Sequence, residues 1–519
     1  MYKFLCTFLL LFTTSLLFAQ NNIEQTYRNP VISGDFPDPT VIRVGDDYYA
    51  AGTTSDFAPS YPLYHSRDLI NWDRIGSVFD NPPAWIKGDC WAPELYYLDN
   101  TYYVYYTARR KSDNVTCIGV ATSKDITKGF EDHGILIEWG KEAIDAYIFK
   151  DDDGKLYITW KAYGLNQDRP IEILGSELSA DGLSLVGEHF TLTHHDKGWK
   201  GYGDEGQCIV KHNGYYYLIY SAGGCCDNRC DYHVQVARSK TMKGVWEQYD
   251  QNPILEGGEL WRCSGHGTLV ETQDNRYFYL YHAYHAYDFE FVGRQGLLDE
   301  LLWNEETGWP YFRYGRTPSA QAQVPFKNTI QYRENATFYD NFATDTSDKF
   351  WLWDMNLPKP ILSKDNGKLT MTASSAFVFR GVNAMTGNYI AETGVRAGSA
   401  NFKGLSVYGN RSNMFSWGVE GSYIKLYKLE NDTKKELFSI PFTSSIVYLK
   451  VESKNGRLFS FYYSDNQKDW KSFSENDEGL DGKSIPQWGK GVRIGLLVEN
   501  NGTGSNSGEF SYFSLENKY

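Results

Sequence analysis

The sequence is poor in methionine and in long apolar segments. Only 6 of its 519 residues are Met, and after the first 19 residues no stretch is long and apolar enough to cross a bilayer. Basic residues are outnumbered as well, with 51 Lys and Arg against 65 Asp and Glu and a formal net charge of −14. Nucleic-acid binding needs basic surface, so this balance argues against it and agrees with a neutral partner such as a sugar.

The cysteine pattern lacks the CxxC pair that is typical of zinc sites. The segment CCDNRC, residues 225–230, therefore favours a disulfide or buried thiols over a zinc site. An exported protein can form disulfides, but an odd number of cysteines leaves at least one thiol unpaired. Without Cys6 in the leader, seven remain: Cys90, Cys117, Cys208, Cys225, Cys226, Cys230 and Cys263.

The first residues have the layout of a secretory signal peptide. Lys3 supplies a positive charge, residues 4–18 are largely apolar, and Ala19 offers a small residue for cleavage. Cys6 lies early in the apolar run and not at a plausible cleavage site. We therefore predict a signal peptide over residues 1–19 and soluble export to a periplasmic or extracellular location.

Aromatic residues and glycine are abundant and recur in a pattern. The chain has 40 Tyr and 48 Gly, which favours strands and turns over helices. An aromatic-rich strand returns as TYYVYYTA from Thr101, KLYITWKA from Lys155, YYYLIYSA from Tyr215 and RYFYLYHA from Arg276. Repeats of about 50–60 residues that contain strands without helical periodicity are typical of β-propellers. We predict an all-β fold with a five-bladed β-propeller.

One ionisable residue occupies the same position in each repeat, at the start of its first strand. Since the first strands of a propeller line its central channel, we expect these side chains to meet at one end of the channel. Intervals of 56, 51, 60 and 61 residues separate Asp38, Glu94, Asp145, Glu205 and His266.

Carboxyl groups that face each other across a channel suit the hydrolysis of a glycosidic bond. One carboxylic acid protonates the leaving oxygen while the other, as a carboxylate, activates water, and a separation of about 6.5–9.5 Å gives inversion. Asp38 lies between two prolines, which stiffen its backbone. A general base has to be held still relative to the water that it activates. Asp145 is expected to repel charge on Glu205 and so to raise its pKa.

These motifs resemble those of glycoside hydrolase family 43. The resemblance covers about residues 27–326 and rests on NPVISGDFPDPTVIRVGDDYYAAGTT from Asn29, WAPELYYLDNTYYVYYTA from Trp91, AIDAYIFKDDDGKLYITW from Ala143, DEGQCIVKHNGYYYLIYSAGG from Asp204 and GHGTLV from Gly265. It implies a five-bladed propeller enzyme that hydrolyses pentose-rich plant polysaccharides with inversion. By the same resemblance, the enzyme removes terminal α-L-arabinofuranosyl or β-D-xylosyl units from polysaccharides or oligosaccharides.

The resemblance also implies roles for particular residues. Asp38 matches the general base, Asp145 the carboxyl group that tunes the pKa of the acid, and Glu205 the general acid. His266 matches a histidine that faces a metal ion, often calcium, on the propeller axis; no cofactor is needed for the chemistry itself. The sugar-binding residues that it implies are Phe36 and Trp91, as pocket walls, and Arg294.

The last part of the chain has a different character. Segments such as GKLTMTA, RLFSFYYSDNQKDW and VRIGLLVENN read as strands at the spacing of a β-sandwich. The region from residue 335 to 519 resembles the concanavalin-like β-sandwich that follows the propeller in several family members. A loop of that sandwich helps to close the active site in some of them, and the junction is too short to be a flexible linker.

Other interpretations stay open for several of these residues. Glu94 is more readily structural than catalytic, His266 is equally well a hydrogen-bonded core histidine, and Arg294 is alternatively a structural ion pair. Core packing is favoured over sugar binding for Trp351 and Trp353, and a hairpin turn over a calcium loop for residues 151–154.

Asp204 and the enzyme's specificity are open as well. Asp204 competes with Glu205 for the role of acid, although alternation along a strand turns the two to opposite faces. A β-D-galactofuranosidase of the same family is an alternative activity. A sugar-binding protein without catalysis is an alternative of another class, against which the presence of all three acids argues.

Overall fold

The structure is a computed structural model that describes residues 25–166, 168–195, 203–227, 229–332, 336–473, 478–502 and 506–519. The predicted signal peptide and residue 335, the predicted start of the sandwich, lie outside these ranges. The described chain is almost entirely β, and its helical pieces are Phe289–Val292 and the 3-10 turn Asp348–Phe350. No helix in these ranges is long and apolar enough to cross a membrane.

Five antiparallel sheets of four strands each form the blades of a propeller. The strands are Thr40–Val44, Asp47–Ala51, Ser60–Ser66 and Asp73–Phe79 in blade 1; Ile86–Leu98, Thr101–Arg110, Thr116–Ser123 and Glu131–Ile137 in blade 2; Ala143–Lys150, Leu156–Ala162, Glu172–Leu178 and Phe190–Thr191 in blade 3; Glu205–His212, Tyr215–Ala222, His233–Ser239 and Glu247–Gln248 in blade 4; and Trp261–Glu271, Tyr277–His285, Arg294–Trp303 and Pro310–Phe312 in blade 5.

The first strands of the blades contact one another in cyclic order, and that of blade 5 contacts that of blade 1. The N-terminal segment helps to close this ring. Thr26–Arg28 pairs with Gln321–Gln323 after blade 5, and Ile32 forms an isolated bridge with Gly296 in blade 5. The predicted all-β propeller is confirmed, and the starts of its first strands lie around one axis.

Two further antiparallel sheets form the C-terminal sandwich, and their facing apolar side chains make its core. One sheet contains Thr337–Asp340, Ile361–Asp365, Lys368–Thr372, Tyr389–Arg396, Ile446–Lys454, Leu458–Ser464, Lys471–Ser472, Leu480–Asp481 and Ser507–Asn517; the other contains Phe377–Asn383, Lys403–Asn410, Asn413–Glu420, Tyr423–Glu430, Thr433–Pro441 and Arg493–Glu499. Trp351 is 2% exposed in this core, and its indole nitrogen donates to Asp340 at 2.8 Å. Trp351 is therefore a core residue and not a sugar platform.

The sandwich is joined to blade 1 by strand pairing and by a buried ion pair. Trp353–Asp354 pairs with Phe57–Ala58, which places Trp353 at the junction of the two parts. Arg493, 2% exposed, donates from Nη2 to Asp35 Oδ2 at 2.8 Å, and its guanidinium lies 4.6 Å from the centre of the Phe57 ring. The contact fixes a sandwich strand beside the segment that leads to Asp38.

Replacing Arg493 tests this junction. Arg493→Met leaves the Asp35 carboxylate buried without its cation, so we expect the free energy of unfolding to fall by about 3–5 kcal/mol in denaturant titrations. The matched control is Arg396→Met, because Arg396 makes a largely exposed ion pair with Glu509. The control is expected to lose no more than about 1 kcal/mol, and equal losses in the two variants would contradict the interpretation.

Candidate active site

The ionisable residues that share one position in the repeats are aimed by local distortions of the backbone. The pairing of the first strand with the second shifts register after Ile144 in blade 3, after Glu205 in blade 4 and after Gly265 in blade 5. Such bulges bend a strand and redirect a side chain, and they recur near active sites.

Three of these residues also have the left-handed backbone that side chains rarely adopt. The φ angle is 51° at Asp38, 60° at Asp145 and 43° at His266. Backbone strain of this kind persists only where surrounding contacts impose it, and it concentrates at functional sites.

Asp38 is held by donors on both carboxylate oxygens. Arg294 Nη1 donates to Oδ1 at 2.7 Å, and the Thr53 hydroxyl donates to Oδ2 at 2.7 Å. Burial acts to raise the pKa of Asp38, but the Arg294 guanidinium, with a smaller contribution from His266, outweighs it and holds that pKa far below its usual range. The carboxylate is therefore ionised at any working pH, as a base has to be.

His282 fixes the backbone of the same residue. Its Nδ1 accepts the N–H of Asp38 at 3.0 Å, and the ring is fully buried. Burial lowers the pKa of His282 to about 4, so the imidazole is neutral at neutral pH and can act as this acceptor. The rigidity expected from the prolines beside Asp38 is thus supplemented by a buried histidine.

Asp145 and Glu205 lie side by side in neighbouring blades. The N–H of Gly206 donates to Asp145 Oδ2 at 3.3 Å, and the amide of Gln207 donates to the Asp145 carbonyl at 2.6 Å. Burial raises the pKa of Asp145 to about 7, and the charge of Glu205 acts in the same direction.

Glu205 has a donor on each oxygen. Tyr232 donates from its hydroxyl to Oε1 at 2.9 Å, and Lys161 donates from Nζ to Oε2 at 2.6 Å. Burial acts to raise the pKa of Glu205, but the Lys161 ammonium outweighs it and lowers that pKa. The direction differs from the sequence-based expectation that Asp145 raises it, because a buried cation that the pattern did not reveal donates a hydrogen bond to Glu205.

His266 lies between the acids. Its Nδ1 is 3.4 Å from Asp38 Oδ1 and 3.9 Å from Asp145 Oδ2. A Cβ at residue 206 would lie 2.6 Å from the His266 ring, so the glycine there, with φ of 56°, makes room for it. The structure therefore brings Asp38, Asp145, Glu205 and His266 together at one end of the channel.

A calcium ion at His266 stays a prediction. Within the described ranges no group of three or more His, Cys, Asp or Glu side chains is arranged to hold a metal ion. His266 presents one imidazole to two carboxylates that are already bound by other donors. The residues do not form a ligand set, and no step below depends on a metal.

A cavity of about 230 Å³ opens beside this cluster, between the propeller and a sandwich loop. Arg294 connects the cavity to the cluster of acids, since it lines the cavity and also binds Asp38. Trp91 lines the cavity too, with the Arg109 guanidinium 5.7 Å from its ring centre. The full lining is Ser55, Asp89, Trp91, Arg294, Gln487, Trp488, Gly489 and Lys490.

Phe36 differs from the expectation that it forms a pocket wall. Its ring is 1% exposed, and it packs edge-on against Tyr64 with 5.0 Å between ring centres. A Cβ at Gly52 would lie 2.8 Å from the ring. Phe36 therefore belongs to the apolar core beneath the site, because the sequence motif does not show which face of its segment is covered.

Glu94 and Asp204 do not join the cluster of acids. Glu94 accepts a hydrogen bond from the Thr40 hydroxyl at 2.7 Å, and burial raises its pKa to about 8. Asp204 is fully buried, with Oδ2 3.3 Å from His195 Nε2. Of the two adjacent acids, Glu205 is the one that contacts Lys161 and Tyr232, in agreement with the expected alternation.

The cysteines form two disulfides, Cys225–Cys226 and Cys230–Cys263. Cys90, Cys117 and Cys208 are free and buried. Residues 151–154 form a hairpin turn between two strands, where Asp151 accepts a hydrogen bond from the Tyr216 hydroxyl, so the turn interpretation is correct.

Four residues of the site were missed from the sequence: Thr53, Lys161, Tyr232 and His282. Lys161 carried a signal, because it is the only charged residue in the strand Leu156–Ala162 and is buried there. His282 gave a signal of the same kind, since it is a polar residue in an aromatic strand that reads as core. Tyr232 gave no signal, because it is one of 40 tyrosines in the sequence.

Comparison with known proteins agrees with this geometry. The sequence profile of glycosyl hydrolases family 43 matches residues 27–310, more than half of the chain. A β-xylosidase of Bacillus subtilis (strain 168) is 26% identical over an alignment of 549 positions, which covers 94% of this chain and 99% of that protein. A xylan 1,3-β-xylosidase of Vibrio sp. is 32% identical over 335 residues, which cover 58% of this chain and 60% of that protein.

Other relatives extend the comparison. An extracellular exo-α-(1→5)-L-arabinofuranosidase of Cellvibrio japonicus is 29% identical over 313 residues, which cover 53% of this chain and 86% of that protein. The crystal structure of a GH43 protein from Bacillus licheniformis matches with a TM-score of 0.82 at 24% identity, over 95% of this chain and 100% of that chain, and so shares the fold. The chain belongs to glycosyl hydrolases family 43 and is a glycosidase that hydrolyses O-glycosyl bonds.

Proposed function

We propose that this enzyme removes terminal β-D-xylosyl or α-L-arabinofuranosyl units from oligosaccharides or polysaccharides with inversion. Asp38 activates a water molecule, Glu205 protonates the leaving oxygen, and Asp145 controls the charge around Glu205. The observation that carries the proposal is the position of His266 beside Asp38 and Asp145, and within electrostatic reach of Glu205, with Asp38 ionised and held by Arg294. Two carboxyl groups in different protonation states are what a single displacement requires.

The proton on the acid depends on the bound sugar. Glu205 is 14% exposed at its side chain, and Lys161 favours its ionised form in the free enzyme. A sugar that displaces water from Glu205 raises its pKa by desolvation. When Glu205 takes up a proton, Lys161 keeps a second carboxylate partner, since Glu142 Oε1 lies 3.6 Å from its Nζ. Protonation of Glu205 is therefore coupled to substrate binding.

The size of the cavity supports action on a terminal unit. About 230 Å³ is below the range of roughly 300–1,000 Å³ for pockets that hold drug-sized ligands, and it suits one sugar ring. The sandwich loop at residues 487–490 forms part of its lining, which favours exo over endo action. Relatives named as xylosidases and arabinofuranosidases support a pentose as this sugar.

Export belongs to the same proposal. The apolar N-terminal segment lies outside the described residues, and the Cellvibrio relative is described as extracellular. An exported location also agrees with the two disulfides.

A substrate panel tests the proposed activity. We expect release of nitrophenol from para-nitrophenyl β-D-xyloside or α-L-arabinofuranoside, and little release from the β-D-galactofuranoside. Asp38→Asn removes the base and is expected to lower kcat by about 10²–10⁴-fold, because general base catalysis contributes that much. The variant's circular dichroism and Tm check that it is folded.

Asp46→Asn is the matched control, since Asp46 lies in the exposed turn of the same hairpin. It is expected to keep wild-type turnover. Preferred hydrolysis of the galactofuranoside would favour the alternative activity. Binding of glycans without any released sugar would favour a non-catalytic protein, and full turnover by Asp38→Asn would refute the role of Asp38.

Lys161→Met tests the electrostatic control of the acid. Lys161 lowers the pKa of Glu205, so its removal raises that pKa, and the loss of activity at high pH moves upward. We expect the basic limb of the kcat/KM profile to shift by about 1–3 pH units to higher pH. The other groups that act on Glu205 are Tyr232, His266 and Asp145, and they are unchanged in this variant.

Lys211→Met is the control for this profile, because Lys211 pairs with Asp151 and Asp152 at the edge of the propeller. Its basic limb is expected to match that of the wild type. A limb that stays in place or moves to lower pH in Lys161→Met would show that Glu205 is not the acid that Lys161 controls.

A further inference from the structure

The proposed reaction leaves the disulfide-bonded segment GGCCDNRCDY unexplained. Its described residues, 223–227 and 229–232, form what we call the cysteine-rich turn, which precedes the third strand of blade 4. One disulfide joins the neighbours Cys225 and Cys226, and the other joins Cys230 to Cys263 in the first strand of blade 5. Four of the chain's eight cysteines are thus used within reach of the active site.

Tyr232, at the end of this turn, contacts the acid directly. It is 1% exposed, and its hydroxyl donates to Glu205 Oε1 at 2.9 Å. Its ring is parallel to that of His282, with 5.8 Å between centres, and His282 binds Asp38. A Cβ at Gly265 would lie 2.6 Å from the Tyr232 ring, so a glycine in blade 5 provides its space.

The Cys230–Cys263 disulfide fixes the two segments that bring Tyr232 and Gly265 together. Cys230 lies two residues before Tyr232, and Cys263 lies two residues before Gly265. The pair Cys230–Cys263 therefore holds the chain that carries the phenol against the strand that makes room for it. Tyr232, Cys263 and Tyr284 form one buried apolar cluster, against which Cys225 and Cys230 pack.

The Cys225–Cys226 disulfide lies under the cavity wall. The carbonyl of Cys226 accepts the N–H of Gly489 at 3.0 Å and the Tyr284 hydroxyl at 3.3 Å. Arg294 Nη2 in turn donates to the carbonyl of Gly489 at 3.4 Å. Cys226 is thereby connected through the sandwich loop to the arginine that holds Asp38.

We infer that the cysteine-rich turn is a positioning element for both sides of the reaction, in which Tyr232 orients the Glu205 carboxyl group and the Cys225–Cys226 pair supports the cavity wall at Gly489. The inference rests on the proposed function, because it assigns work to the acid and to the sugar-binding cavity of that reaction.

Tyr232 fixes the orientation of the Glu205 carboxyl group. The phenol donates to Oε1 while the Lys161 ammonium donates to Oε2, and the carboxyl group cannot rotate without losing a buried hydrogen bond. The benefit depends on the leaving group. A sugar alkoxide has to be protonated as the bond breaks, whereas a dinitrophenolate leaves without help from an acid.

Tyr232→Phe removes the hydroxyl and keeps the ring. For an alkyl pentoside or a pentose disaccharide we expect kcat/KM to fall by about 10- to 100-fold, the usual size for a lost hydrogen bond to a charged group. For the 2,4-dinitrophenyl pentoside we expect a loss below about 3-fold, since that bond cleaves without protonation. Tyr105→Phe is the control, because Tyr105 is a buried tyrosine whose hydroxyl donates to the Gly182 carbonyl in blade 3.

The control is expected to show no dependence on the leaving group. Equal losses of Tyr232→Phe on both kinds of substrate, or no loss on either, would overturn the role assigned to Tyr232. Wild-type turnover of the dinitrophenyl pentoside is measured first. If it is absent, the proposed function fails by itself; if it is present, the comparison of leaving groups tests only the positioning.

The Cys225→Ala/Cys226→Ala variant tests the cavity wall separately. Loss of the disulfide loosens the Cys226 carbonyl beneath Gly489, so we expect KM for the dinitrophenyl pentoside to rise by about 3- to 10-fold with kcat within about 2-fold, because sugar binding weakens while the acid stays in place. An unchanged KM, or a fall in kcat that depends on the leaving group, would contradict this assignment.

Discussion

The buried ion pair between Asp38 and Arg294 is the contact on which the arrangement of the site depends. Arg294 donates to Asp38 from one guanidinium nitrogen and to Gly489 of the sandwich from another. Asp35, three residues before Asp38, accepts a hydrogen bond from the backbone N–H of Arg294 and another from the guanidinium of Arg493 in the sandwich. A buried carboxylate without such a cation takes up a proton or destabilises the fold. The N-terminal segment, blade 5 and the sandwich thus have to assemble correctly for the base to be ionised.

The three carboxyl groups differ in charge although they lie close together. Asp38 is ionised because its neighbours are cationic or donate hydrogen bonds, whereas burial raises the pKa of Asp145 to about 7. Lys161 keeps Glu205 on the ionised side in the free enzyme. In the proposed reaction, the ionised Asp38 is ready to activate water before the sugar arrives, and Glu205 becomes protonated as the sugar excludes water from it.

Much of the fold and part of the site could be predicted from the sequence, for a physical reason. Aromatic strands at a constant interval predict repeated sheets, and the shared register of Asp38, Asp145, Glu205 and His266 predicts that they meet on one axis. Glu94 shares this register but does not join the cluster, since its carboxylate accepts a hydrogen bond from the Thr40 hydroxyl. Contacts between residues that are distant along the chain have no such signature. Tyr232 lies 27 residues after Glu205, beyond the second strand of blade 4, and the cover over Phe36 comes from packing that a motif does not record. The predicted rise of the Glu205 pKa was wrong for the same reason. The cation that lowers this pKa, Lys161, comes from a strand of the neighbouring blade.

We propose that Asp38 and Glu205 act on opposite sides of the sugar, with a water molecule between Asp38 and the anomeric carbon. Proton NMR of the sugar at the earliest stage of hydrolysis tests it most directly, because the anomer formed first records the side from which the water attacked. Single displacement predicts that a β-xyloside yields the α-anomer of xylose first and that the β-anomer appears later by mutarotation. First formation of the β-anomer would require two displacements through a covalent intermediate and would contradict the assignment of Asp38 as a base.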